Sequence, residues 1–396
     1  LINKGHLKRE LEALKSSILL IIILICDRIL PSVLINRDCR MVSKYGDWLT
    51  RLKLFLVVIT LLIANSSKGF ATEPNKELNL YSARHYQTDE ALYANFTKST
   101  GIKINRIEAD DNALLERLNS EGTKSPADVI LLVDAARLWR AQVNGMFRPT
   151  QSKLLDQRIP MNLRAKADAD GTTWFGFSTR ARIIVYNKAS INPQNVNTYE
   201  KLAEPANKGK VCTRSGSHPY MLSLVGALIE RDGSVATEQW AKGMVANMAR
   251  SPKGGDTDQI KAVASGECGV AITNSYYLAR LMRSIKPEDM AIVAKVGHIW
   301  PNQNAGGVHI NISGGGVAKN APNPKAAVKF LEYLASDAAQ IYLADGNNEW
   351  PAVTSVKVDN SALKALGPYQ VETVSVAAIG RNQVAAQRIL DRVGFK

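Results

Sequence analysis

The sequence predicts an α/β protein of two lobes, and three observations carry that prediction. Apolar runs of strand type alternate with runs of helical period. The chain that follows an amino-terminal export signal is 325 residues long, beyond the ~250–300 residues at which single cores usually divide. The strand–helix grammar also runs once between residues 77 and 133 and returns after residue 183. Such alternation favours a parallel sheet with helices on its faces. Ligands of open α/β sheets collect beyond the carboxyl ends of the strands.

Taken in order, Met41 opens the export signal. Lys44, Arg51 and Lys53 form its basic region, Leu54 to Ala64 its apolar core, and Gly69-Phe-Ala71 a small-x-small cleavage site. That core is too short for the roughly 20 residues needed to span a bilayer, so cleavage near Ala71 is expected. Residues 1–40, with a second apolar run from Ile18 to Cys26, read as an extension upstream of the true start. Glu77 to Ala83 then reads as a strand, Thr88 to Gly101 as a helix stopped by its glycine, and Ile102 to Ile107 as a strand. Asn112 to Glu121 is a helix and Ala127 to Val133 a buried strand. Later come strands at Ile183–Tyr186 and Lys210–Cys212, an apolar helix from Met221 to Asp232, and a strand from Gly269 to Thr273. Val308 to Ile312 is a strand leading into a tight glycine passage at Gly314 to Gly316, and Ala326 to Ser336 is an amphipathic helix.

The whole chain has 50 Lys plus Arg against 36 Asp plus Glu. Residues 1–71 hold 11 and 5 of these, which leaves 39 against 31, or net +8, for the exported part. No long basic block with interleaved aromatics occurs, so nucleic-acid binding is not expected. The excess suits encounters with anions. After Ala71 only Cys212 and Cys268 remain, and two cysteines in an oxidising compartment are expected to pair. Neither sits in a Cys-x-x-Cys pair, so a zinc site is not predicted.

The chemistry centres on Tyr276 and Tyr277, adjacent phenols after an apolar strand and before a basic helical stretch. A phenol with its ordinary pKa near ~10 is a poor ligand until a highly charged hard cation displaces its proton. Ferric iron is such a cation. An isolated Tyr-Tyr pair is otherwise packing material.

Dispersed motifs raise the iron reading above packing. They are Leu80-Tyr-Ser-Ala-Arg-His-Tyr86, Trp174-Phe-Gly-Phe-Ser-Thr-Arg180 with Ile184-Val-Tyr186, Arg214-Ser-Gly-Ser-His-Pro-Tyr220, Asn274-Ser-Tyr-Tyr277 and Ile310-Asn-Ile-Ser-Gly-Gly-Gly316. In this order, from about Leu78 to the carboxyl terminus, the chain resembles the periplasmic ferric-iron-binding proteins of bacterial ABC transporters, and within them the cyanobacterial FutA branch. The resemblance implies a two-lobe type II periplasmic binding fold with a hinge and an interlobe cleft. The first lobe would be residues 72–181 plus 307–352, and the second 182–306 plus 353–396. It implies a monomer that is not an enzyme, exported to the periplasm, which hands iron to a membrane permease and its ATPase.

Carried over singly, Tyr86 would come from the first lobe and Tyr220, Tyr276 and Tyr277 from the second, with His85 beside the first tyrosine. Four phenolates would exceed the charge of Fe(III) and want a cation nearby; Arg180 is the first candidate and Arg280, a helical turn beyond Tyr277, the second. Ser215 and Ser217 are turn residues that in some relatives contact a synergistic anion, and either an anion or water would complete the shell. Asp134 lies near the position of a carboxylate used in another branch, where Tyr220 takes its place here. A Cys212–Cys268 disulfide would hold the two tyrosine-bearing loops of the second lobe together. The competing reading is a binding protein for phosphate or an organic acid, which fits the Ser-Gly turn but needs none of the four tyrosines. No nucleophile elbow and no facial triad of two histidines and a carboxylate are visible.

Overall fold

The computed structural model describes residues 76–84 and 88–396. The export signal, the upstream extension, His85 and Tyr86 lie outside the described residues. The first elements are β1 (Glu77–Ser82), α1 (Asp89–Thr100), β2 (Lys103–Glu108), α2 (Asp111–Glu121), β3 (Val129–Leu132), α3 (Ala135–Val143) and α4 (Lys153–Arg158). Helix α1 carries Asp89 and Glu90 in its first turn and Lys98 in its last, matching the helix dipole, and stops where Gly101 turns left-handed at φ 71°. Helix α2 starts because the Asp110 carboxylate accepts from the amides of Asn112 and Ala113. All four residues of β3 are buried, as expected of a strand covered on both faces.

Strand β4 (Phe175–Asn187) follows, then β5 (Val211–Cys212), α5 (Pro219–Ala246), α6 (Asp256–Ser265), β6 (Val270–Asn274), α7 (Ser275–Met282), α8 (Pro287–Lys295), β7 (Val296–Ile299) and β8 (Ile310–Val317). The chain closes with α9 (Pro324–Leu334), α10 (Asp337–Asn347), β9 (Trp350–Pro351), α11 (Ser361–Leu366), α12 (Val376–Arg381) and α13 (Gln383–Arg392). Helix α5 is interrupted at Gly233, whose φ of 83° is not helical.

The strands run in the order β2-β1-β3-β8-β4-β6-β5, with β7 and β9 also on β4. Strand β1 is parallel to β2 and β3, and β5 to β6. Strands β8 and β4 bring antiparallel pairing, so the sheet is mixed rather than the parallel one expected from alternation. The cause is β4, which pairs with β8 through residues 175–181 and with β6 through 182–186. It is 13 residues long, three times the Ile183–Tyr186 segment read from apolarity. Its polar middle, Ser178 to Arg182, hid it from hydrophobic pattern.

Bodies of core lie on either side of that middle. One packs residues of β1–β3 and α1–α4 with Phe175, Phe177 and residues from Ile312 to Val353. The others pack Ile183–Val185, α5–α7 and β6 with the carboxyl-terminal helices. The glycine run corrects a second expectation: Gly314, Gly315 and Gly316 lie inside β8 rather than in a passage after it. A Cβ there would collide with the carbonyl oxygens of Phe175, Ile130 and Thr173 respectively, so close backbone approach demands glycine. Cys212 and Cys268 form a disulfide with Cα atoms 5.9 Å apart, tying β5 to the segment that enters β6. Among the described residues no helix is long and apolar enough to cross a membrane.

Candidate metal centre

Tyr220, Tyr276 and Tyr277 each occupy the first turn of a helix. Pro219, with its fixed φ, starts α5 after the His218 cap, which puts Tyr220 second. Fully buried β6 ends at Asn274 and α7 begins at Ser275, so the two adjacent tyrosines come second and third. Helical side chains lean toward the amino terminus, and that end of a helix favours negative charge. Both effects suit phenolates.

The hydroxyls of Tyr220 and Tyr276 lie 3.2 Å apart although the residues are 56 positions apart in sequence. The ring centres of Tyr276 and Tyr277 lie 4.2 Å apart with their planes tilted by 30°. Tyr276 is buried and Tyr277 partly exposed. Tyr220 and Tyr276 therefore meet from two segments that the disulfide helps to join, with the Tyr277 ring beside that of Tyr276.

Guanidinium groups surround them. Arg214, Arg180 and Arg182 stand 5.2, 5.6 and 5.8 Å from the centre of the Tyr220 ring, and Arg280 stands 5.7 Å from that of Tyr277. These are cation–π distances. Burial works against the charge of Arg214, but nearby Asp256, Tyr277 and Tyr220 outweigh burial and raise its pKa. Arg180, in the polar crossing of β4, donates to the Ser313 hydroxyl at 2.9 Å and lies 3.9 Å from the Glu349 carboxylate.

The remaining candidates take other places. Ser215 and Ser217 share a hydroxyl hydrogen bond of 2.9 Å in the turn before α5. His218 packs edge-on to Tyr220 at 4.5 Å and its Nδ1 accepts from the Tyr220 amide. Burial, then Arg214, Arg182 and Arg137, push its pKa down to about 3, so it is neutral at neutral pH. Asp134 caps α3 and accepts from Ala136, Ser223 and Asn311, which commits its carboxylate to structure.

Two cavities flank the tyrosines. One, of about 540 Å³, runs between Ala83, Asp111, Val133 and Arg137 on one side and His218 and Tyr220 on the other. Burial pushes the Asp111 carboxyl at its edge up to about 6. The second, of about 910 Å³, is lined by Tyr277, Arg280, Lys261 and Lys286 together with Tyr342 and Asn348 of the α10 side.

Sequence reading gave no role to Arg182, Arg214 or Asp256. Arg182 had a detectable signal: it follows Arg180 by two positions, which puts both side chains on one face of a strand. Arg214 opens a motif already singled out, and only its spatial return to Tyr220 and Tyr277 reveals its use.

Phenol oxygens are hard donors of the kind a trivalent cation prefers. Comparison with known proteins points the same way. Residues 91–366 match the family model described as bacterial extracellular solute-binding protein. Iron uptake protein A1 of Synechocystis sp. is 48% identical over 321 residues, covering 81% of this chain and 88% of that protein. The Trichodesmium FutA protein, solved in complex with iron and citrate, is 52% identical with a TM-score of 0.76, covering 81% of this chain and 100% of that one. The ferric binding protein of Campylobacter jejuni is 39% identical with a TM-score of 0.76 over 81% of this chain and 100% of that one.

Proposed function

The chain belongs to the family of bacterial extracellular solute-binding proteins, and from that premise we propose how it works as the ferric-iron-binding component of an ABC iron uptake system. One Fe(III) is held through the phenolate oxygens of Tyr220, Tyr276 and Tyr277, and Tyr86 and His85 are further candidate ligands on the resemblance to ferric-iron-binding proteins. The observation that carries this reading is the convergence of Tyr220 on Tyr276, hydroxyl to hydroxyl at 3.2 Å, among four guanidiniums.

The chemistry follows from charge. Iron expels the phenolic protons as it binds, and helix amino termini and guanidiniums stabilise the anions that remain. Three phenolates and Fe(III) sum to zero charge, and the guanidiniums of Arg180, Arg182, Arg214 and Arg280 outnumber the Asp256 and Glu349 carboxylates beside them. Their surplus suits a fourth phenolate, a synergistic anion or a carboxylate-chelated form of the metal. The protein is exported by cleavage near Ala71, closes its two lobes on the metal about β4, and presents the closed form to a permease driven by an ATPase. Protonation of the phenolates, one-electron reduction of the iron by an external donor, or both, weakens hard-oxygen ligation and releases it.

Addition of ferric citrate to the purified protein tests this. A visible tyrosinate-to-iron charge-transfer band should rise to one equivalent of iron, and citrate or phosphate alone should give none. A protein that stays colourless while binding phosphate would instead establish an oxyanion carrier.

A further inference from the structure

Asp256, the first residue of α6, is completely buried, and every partner it has belongs to the tyrosine site. Its Oδ2 accepts from Arg182 Nη1 at 2.8 Å and from the amide of Asn274 at 2.6 Å. Its Oδ1 faces Arg214 Nη1 at 3.5 Å. Arg182 continues the lattice to the Asn274 side-chain oxygen at 3.1 Å and the Ile272 carbonyl at 3.2 Å. A single carboxylate thus grips two of the guanidiniums over the Tyr220 ring and the residue that launches the Tyr276–Tyr277 turn.

Helix capping does not account for it. The carboxylate that closes the start of α6 is that of Asp258, which accepts from the Gly255 amide at 2.8 Å. A buried carboxylate is costly unless charge and hydrogen bonds compensate it, and here the compensating groups are Arg182, Arg214 and Asn274, all of which contact or immediately precede the proposed ligands.

We propose that Asp256 is the positioning residue of the metal centre: it locks Arg182, Arg214 and the start of α7 into one unit, so that Tyr220, Tyr276 and Tyr277 are arranged before iron arrives. This rests on the iron reading above. Groups just outside a metal's ligands orient them, and their loss typically weakens binding by about 10–100-fold. Without the carboxylate, Arg182 and Arg214 repel each other across an uncompensated gap, and the amide of Asn274 loses its acceptor.

The test compares the purified wild type with Asp256→Asn, Asp258→Asn, Arg214→Gln and the double variant Asp256→Asn/Arg214→Gln, each loaded from ferric citrate. The visible band and the rate of iron transfer to excess EDTA are recorded. Asp256→Asn should lose iron about 10–100 times faster and displace the band. Asp258→Asn, with the same change of charge on the same helix, should keep both. Because Asp256 acts partly through Arg214, its substitution should cost less in the Arg214→Gln background than alone. Wild-type rate and band in Asp256→Asn, or effects that multiply in full in the double variant, would overturn the proposal. Should Asp256→Asn fail to fold, Arg214→Gln decides, and an unchanged rate and band there would overturn it equally. A colourless wild type would remove the iron reading and this inference with it, which differs from a coloured wild type indifferent to Asp256.

Discussion

Tyr276 shows how a residue acquires chemistry from its position. At 1% exposure it is a core side chain, yet its hydroxyl meets that of Tyr220. That contact is a hydrogen bond, which needs a proton on at least one of the two oxygens; the surrounding guanidiniums would stabilise the phenolates once a bound cation displaces their protons. Asp111 offers a residue-scale check on cleft electrostatics. Its folded-state pKa is raised from 3.8 to about 6, chiefly by burial, so the native state prefers the neutral acid. The stability this preference contributes is complete below the unfolded value near 4 and is lost as pH rises through about 6. Asp111→Asn should therefore match wild type in urea denaturation at pH 4 and gain on it up to about pH 6. Above that the gap should level at roughly 3 kcal/mol or less. At this scale the sequence pointed to the tyrosines proposed as ligands, because phenols at a strand end are chemically conspicuous. It concealed Asp256, because nothing local distinguishes one acidic residue at a helix start from another.

Among the elements, β4 and β8 decide the architecture, and both were only half legible. Hydrophobic pattern found Ile183–Tyr186 and missed the polar crossing before it, since Ser178, Thr179, Arg180 and Arg182 are buried by hydrogen bonding rather than apolarity. The glycines of β8 looked like a turn because a run of three usually breaks a strand; only the carbonyls pressed against them show why they continue one. Helix α8 escaped notice because it buries no residue and so has no apolar stripe to read. Gly316→Ala should force the Thr173 carbonyl aside and destabilise the protein by about 3 kcal/mol or more, read as a lower urea midpoint at unchanged slope. The Cys212–Cys268 bond spans 56 positions. Replacing both cysteines with serine should cost about 4 kcal/mol in the chain-entropy account, again visible in the urea midpoint. Preserved wild-type stability would show that β5 and β6 hold together without the bridge.

The whole molecule places its phenols where separate bodies of core meet along one long strand. Phe175 and Phe177 of β4 belong to one body and Ile183 to Val185 to the others. The guanidiniums of Arg180 and Arg182 project from the stretch between them. A strand that is polar only at the crossing can serve both cores and still deliver charge to the cleft. That arrangement was legible as a set of motifs in order, while the mixed pairing that produces it was not. The central claim is that iron is bound by phenolate oxygens of Tyr220, Tyr276 and Tyr277. It is tested most directly by resonance Raman spectroscopy of the iron-loaded protein, excited within its visible band, for wild type and for each Tyr→Phe variant. Enhanced tyrosinate ring modes in the wild type, weakened or shifted in all three variants, are the result expected. Iron bound tightly without tyrosinate modes, or modes indifferent to all three substitutions, would contradict it.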